Sequence, residues 1–262
     1  MLPKASIAFY PQATRGDSRL LVLNRADSRL YDERYANLVD YFNPGDLLIL
    51  NDTKVIKARL QVQNKKKQLI EILLLEEHGK ITPNVRRVLY RGELTTGEIL
   101  LLGSTELEVI RVLEGGMADI RSVQDFNELA LFYGEVPLPP YIKRPINSAD
   151  TLRYQSIFAQ KSGSVAAPTA SLNMTTQLLS QIRTKGIRVE YLTLHVGLGT
   201  FLPIRTSNIA EHKMHSEYFE IPSTTVRAIQ QTKTSNNQVI ALGTTVARTL
   251  EYCGGIFSQV NL

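Results

Sequence analysis

From about residue 60 to residue 127 the chain is written in short apolar runs broken by charged or glycine turns, and this sets the fold. QVQNKKKQLIEILLLEE reads as two strands around a charged tip. VRRVLYRGELTTGEILLLGSTELEVIRVLEGGMADIRSV adds further short strands, punctuated by Gly-Glu, Gly-Ser and Gly-Gly. Short strands at regular spacing with turns between them predict a small antiparallel barrel or sandwich.

The flanks have a different texture. SRLLVLNR, 18–25, reads as a strand. ERYANLVDYF, 33–42, has helical spacing and is stopped by NPGD. DLLILNDTKVIKARL is a buried strand, a polar turn and a second strand. DFNELALFYGEVPLPPYIKRP is a short helix running into a proline-stiffened, extended connection. Beyond it, TTQLLSQIRTKG is a helix ended by Gly186, IRVEYLTLHVGLG a strand, STTVRAIQQTKT a helix, NNQVIALGTT a strand, and VARTLEYCGG a helix with a glycine stop. Strand and helix alternating in this way predict a parallel or mixed α/β sheet. The expected architecture is therefore a barrel-like α/β domain, 1–59 plus 128–262, carrying an inserted antiparallel β-barrel, 60–127.

Composition narrows the class. The chain has 262 residues, 43% of them hydrophobic, enough for a sizeable core. Its one cysteine, Cys253, rules out a disulfide framework or a cysteine zinc site within one chain. The same lone cysteine fits a reducing, cytoplasmic location. The start lacks a signal-peptide core and no apolar run reaches membrane-spanning length, so no membrane partner is expected; a monomer is expected as well. A formal charge of +5 permits a polyanion partner without requiring one.

Three small-residue loops follow predicted strands, where open α/β folds bind ligands. KSGSVAAPTAS holds Ala167, Pro168 and Thr169. HVGLGTFLPIR holds Gly197, Gly199 and Thr200. GTTVAR holds Thr244 and Arg248. HVGLGTF is not a dinucleotide fingerprint. Tight packing explains small residues as well as a ligand does. Asn51 and Asp52 directly follow an apolar strand; they could orient a ribose or base edge, or form a plain Asx turn. Arg59 nearby suits a phosphate or carboxylate, or the surface. His195, His212 and His215 gather in a histidine-poor chain. His212 and His215 would share a helix face, but SEYFEIP looks strand-like, which argues against joint metal ligation. Acid/base work, substrate hydrogen bonding and structural packing remain open for each histidine.

PGDLLILNDTKVIKARL, GEVPLPPYIKRP, YQSIFAQKSGSVAAPTA, LTLHVGLGTFLPIR, EHKMHSEYFEI and VIALGTTVARTLE occur in the order and spacing of one family. The chain resembles the S-adenosylmethionine:tRNA ribosyltransferase-isomerases of the queuosine pathway, over nearly its whole length and least in the inserted module. The resemblance implies an α/β domain with an inserted β-barrel. It implies transfer and isomerisation of the ribosyl group of S-adenosylmethionine onto 7-aminomethyl-7-deazaguanine at the tRNA wobble position. Epoxyqueuosine is formed, adenine and methionine leave, and no metal takes part. His195, His212 and His215 would then do acid/base work, with Asp52 or Glu217 facing the sulfonium. Asn51, Arg59, Ala167, Pro168, Thr169, Asn173, Gly197, Gly199, Thr200, Glu217, Thr244 and Arg248 would bind substrate, and Lys143, Arg144 and Lys213 would meet tRNA phosphates.

The chain departs from the family pattern at four site-like positions. Ser171 stands for a glycine and Asn173 for a histidine in APTAGLHFT. Leu202 stands for an arginine in GTFRPV, and Val246 for a serine in GTTSVRT. The family also continues beyond the point where this chain stops. These differences lead to the expectation of weak or no turnover by the chain alone, the alternative being a relative that binds tRNA or a nucleoside without turnover. A metal hydrolase built on the three histidines is the reading from outside the family.

Overall fold

The structure, a computed structural model, describes residues 3, 6–75, 84–197, 199, 208 and 216–257. The inserted module is a closed six-stranded barrel. Its strands are β5 (Arg59–Gln63), β6 (Leu69–Leu74), β7 (Val85–Arg91), β8 (Ile99–Leu102), β9 (Thr105–Leu113) and β10 (Met117–Ser122), in the order β10-β7-β6-β5-β8-β9. Every pairing is antiparallel. Alternate residues turn inward, so Leu60 and Val62, Ile70 and Ile72, and Leu100 and Leu102 fill the interior. The NKKK tip is a turn with its three lysines exposed, in which the buried Asn64 Oδ1 accepts from the amides of Lys66 and Gln68.

Helix α1 (Phe126–Tyr133) packs Phe126, Leu129 and Ala130 into the same core. Asp125 caps it by accepting from the amides of Asn127 and Glu128. The connection that follows bridges back to the barrel at Arg59 and Glu135, and it buries Val136 and Leu138 against Val55, Tyr154 and Ala167. Short helix α2 (Ser148–Arg153) follows, with a reciprocal Asn147–Asp150 capping box.

The α/β domain is built on β3 (Leu47–Asn51), which is buried throughout. β12 (Arg188–Leu194) and β14 (Val239–Ala241) run parallel to it on either side, and β13 (Phe219–Glu220) is antiparallel to β12. One face packs Leu48 and Leu50 against α3 (Thr176–Thr184). The other packs Leu47 and Ile49 against α4 (Ser223–Thr234) and α5 (Thr244–Phe257). Burial on both faces explains the unbroken LLIL run. β4 (Thr53–Val55) pairs in parallel with β11 (Lys161–Ser164), and β1 (Arg19–Asn24) forms a hairpin with β2 (Arg29–Arg34). No described helix is long and apolar enough to cross a membrane.

Two local expectations are corrected. Residues 33–42 do not form one helix. Glu33 and Arg34 complete the ladder to β1, and a 3-10 helix, Tyr35–Tyr41, follows. Nor does the Gly-Gly pair stop α5, which continues to Phe257. A glycine ends a helix by entering the left-handed region. Gly186 does so after α3, with φ +89°, whereas Gly254 is not among the positive-φ glycines.

Candidate active site

At the carboxyl ends of the central strands lies a cleft of about 510 Å³. Its walls are the 166–170 loop, the 243–245 turn, Val196, Tyr154, and Pro139 and Tyr141 of the connection. Ser164 fastens the first wall. Its hydroxyl donates to Ala166 O and accepts from the amide of Val196, while Val165 N donates to Val196 O. The second wall depends on Gly243, where φ is +89° and a Cβ would fall 2.9 Å from the Ala170 Cβ. Only glycine lets these two loops close to this distance.

Polar groups face a mostly apolar cleft. α5 begins at Thr244, so the unpaired amides of its first turn lie at this wall. The Thr245 hydroxyl is buried and has no hydrogen-bond partner among the described residues. Tyr154 is buried, and burial pushes its phenol up to about 12, so it stays protonated at neutral pH.

Beside the cleft, residue 195 is fixed on several sides. His195 Nδ1 lies 2.7 Å from the Thr53 hydroxyl, and its ring stacks on Tyr218 at 5.7 Å and 20°. Its amide donates to Tyr218 O, and its Nε2 edge abuts the backbone of Gly163. Asn51 is wholly buried and links β3 to β12. Its Nδ2 donates to Leu194 O, and its Oδ1 accepts from the amides of Thr53 and Leu194. The Asx-turn reading therefore describes Asn51 better than a ribose contact, because the amide is already satisfied. Asp52 accepts from the Thr193 hydroxyl at 2.6 Å.

Other expected site residues form separate groups. Glu217 accepts from Gly197 N at 3.0 Å and pairs with Arg248, tying the end of β12 to α5. A second cleft of about 420 Å³ opens there between Leu194, Phe219 and Tyr252. Gly199 is half-buried. Arg59 is on the barrel rim, donating to Leu138 O and facing Glu71, and it lines a different groove with Lys143. Asn173 accepts from the Ser18 hydroxyl at 2.8 Å and does not line the cleft. Ser171 is buried and its hydroxyl has no hydrogen-bond partner among the described residues, and Val246 packs in the apolar core.

Arg144 needs correction as a phosphate contact. Its guanidinium makes two 2.6 Å bonds to Asp150, with only 8% of the arginine side chain and 5% of the aspartate exposed. It also donates to Phe9 O and covers the Tyr10 ring at 4.4 Å. The charge is thus spent on holding the N-terminal segment to the connection.

Thr200, His212, Lys213 and His215, with Leu202, lie outside the described residues. Among the described residues no three His, Cys, Asp or Glu side chains could hold a metal ion. Sequence reasoning assigns no role to Thr53, Gly163, Tyr154, Tyr218 or Thr245. Gly163 and Thr245 fall within the KSGSVAAPTAS and GTTVAR loops and Thr53 follows Asn51-Asp52, while Tyr154 and Tyr218 carry no signal of their own.

The family described as queuosine biosynthesis protein matches residues 1–260. The S-adenosylmethionine:tRNA ribosyltransferase-isomerase of Pelodictyon phaeoclathratiforme is 48% identical over 97% of this chain and 74% of its own length. The protein of that name from Syntrophotalea carbinolica is 44% identical over 96% of this chain and 74% of its own length. A solved structure, the S-adenosylmethionine tRNA ribosyltransferase of Thermotoga maritima, is 26% identical with a TM-score of 0.45, covering 100% of this chain and 73% of its own. On this sequence similarity, the chain belongs to the queuosine biosynthesis protein family.

Proposed function

We propose that this chain is an S-adenosylmethionine:tRNA ribosyltransferase-isomerase. It uses S-adenosylmethionine as ribosyl donor, without a metal, and acts in the cytoplasm on tRNA bearing 7-aminomethyl-7-deazaguanine. The observation that carries this reading is the 48% identity, over 97% of the chain, to a relative bearing that name. The APTA and GTT loops lining a single cleft support it, since the cleft is large enough for a nucleoside.

The chemistry asks for two proton transfers. The bond between ribose and adenine breaks, and adenine needs a proton as it leaves. The ribosyl rearrangement needs a proton removed. His195, one residue from the cleft wall and oriented by Thr53, serves one of these steps, and His212 or His215 the other. Glu217 is committed to Gly197 and Arg248, and Asp52, which accepts from Thr193, is the carboxylate of the two without an ion pair among the described residues that would turn to the sulfonium. Ala167, Pro168, Thr169 and Thr244 hold the nucleoside, with the first-turn amides and Thr245 hydroxyl of α5 as donors.

A second reading, binding without turnover, is favoured by Asn173. A carboxamide cannot transfer a proton at neutral pH, and this one is already bonded to Ser18. One experiment separates the two: the chain is incubated with S-adenosylmethionine and the substituted tRNA while adenine release and tRNA retention are followed together. Release with formation of epoxyqueuosine supports the first reading. Retention without release selects the second, and neither signal refutes both.

A further inference from the structure

A groove of about 270 Å³ separates the outer face of the barrel from the proline-rich connection. Its polar lining is Arg59, Glu71, Tyr90, Arg91 and Lys143. Arg144 also reaches the wall, but Asp150 neutralises it. Three cations therefore share one carboxylate, a surplus of positive charge confined to a concave surface.

The carboxylate does not close the site. Glu71 lies 3.6 Å from Arg59 Nε and 3.5 Å from Arg91 Nη1 and hydrogen bonds to neither. The same barrel shows what closure looks like: Asp119 takes hydrogen bonds of 2.8 and 3.1 Å from Arg87 and one of 2.7 Å from Arg111. Arg59 is held by a bond from Nη2 to Leu138 O, yet its Nε is buried with no hydrogen-bond partner among the described residues. A buried charged donor left unsatisfied is costly, and an incoming anionic oxygen removes that cost. Arg91 is 69% exposed and Lys143 is exposed, so both can turn toward such a ligand.

Position identifies the ligand class. Pro139 lines both this groove and the 510 Å³ cleft, so the two are neighbours across one residue of the connection. A nucleotide seated in the cleft carries its chain past Pro139 into the groove. Tyr90 pairs with Ile72 and packs against the barrel core, so the groove meets a nucleic-acid backbone through its cations and not through stacking.

We propose that this groove binds the RNA backbone next to the nucleotide being modified, with Arg91 and Lys143 on phosphate oxygens and Arg59 Nε completing the site. This rests on the tRNA reading above. The test uses the whole chain with Arg91→Gln and Lys143→Gln combined, against Lys65→Gln with Lys66→Gln at the β5–β6 tip, which removes equal charge. Affinity for substituted tRNA is measured across salt concentrations. Losing two single-strand phosphate contacts lowers the salt slope by about 1.4 and the affinity by ~25-fold at about 0.1 M salt. The groove variant should show this loss and a raised KM for tRNA, with the KM for S-adenosylmethionine unchanged. Arg91→Lys with Lys143→Arg should restore most of the affinity. An equal loss in the tip variant, or none in the groove variant, overturns the proposal. So does a variant that loses inorganic phosphate competition but keeps its tRNA affinity, which would mark a free-anion site. If the unaltered chain binds no tRNA, the functional reading itself fails.

Discussion

Replacing Gly163 by alanine tests whether residue 195 is held where it is by the loop opposite. Gly163 lies at the register shift in the β11–β4 pairing, between Ser162 and Ser164, with φ +151°. A side chain there is strained on conformational grounds alone, at about 1–3 kcal/mol. The new Cβ would also fall 2.7, 2.8 and 2.9 Å from Nε2, Cδ2 and Cε1 of His195. The ring has little room to retreat, because Thr53 fixes its Nδ1 side and Tyr218 covers one face. Overpacking of this kind costs about 1–3 kcal/mol, so after partial relaxation Gly163→Ala should lose about 2–4 kcal/mol in urea denaturation. Adenine release should fall at least tenfold as the imidazole moves.

A double-mutant cycle separates the two costs. In a His195→Ala background the steric part disappears and only the backbone strain remains. The two substitutions should then couple by about 1–3 kcal/mol in stability. Additive losses would show that the ring and the loop do not restrain each other. A Gly163→Ala protein with unchanged stability and full turnover would remove the reasoning altogether.

Three further outcomes follow from the same structure. Gly134→Ala would press its Cβ onto the carbonyl oxygens of Lys57 and Ala130, both main chain and unable to rotate away. It should cost about 3 kcal/mol or more and appear as a lowered thermal midpoint. Tyr35 and Tyr154 are both raised to about 12 by burial, so the stability they contribute is full below about pH 10 and lost as pH rises toward 12. Urea titrations from about pH 9 to pH 11 should show that fall, and Tyr154→Phe should flatten it. The Asp150 carboxyl sits below the usual range because Arg144 donates to it, so its contribution is present above about pH 4 and lost as pH falls through the lower folded value. Asp150→Asn should cost about 3 kcal/mol at neutral pH, with the gap to the parent protein closing in acid.

What could be read in advance was whatever depends on near neighbours in the chain. The barrel was legible because a period of two over five or six residues leaves few alternatives, and LLIL was legible because an unbroken apolar run needs cover on both faces. Gly254 misled because a glycine inside a helix costs only about 1 kcal/mol, which the rest of α5 can offset. Arg144 misled because charge suggests the surface, although its partner Asp150 stands only six residues away. Asn51 had two readings, and only burial decided between them.

The cleft was not legible as a cleft. Ala170 and Gly243 approach closely because β14 is laid against β3, a pairing across nearly two hundred residues. This also divides the evidence that small residues carry. Gly243 lacks a side chain so that one loop can pack on another, which says nothing of a ligand. The Thr245 hydroxyl, at a wall of the same cleft, is buried with no protein partner among the described residues, and the hydroxyls of Ser156 and Ser171 share that state away from the cleft. In this chain the glycines shape the cleft, and an orphaned hydroxyl points to a ligand only through its place at the cleft wall, which no short sequence motif fixes.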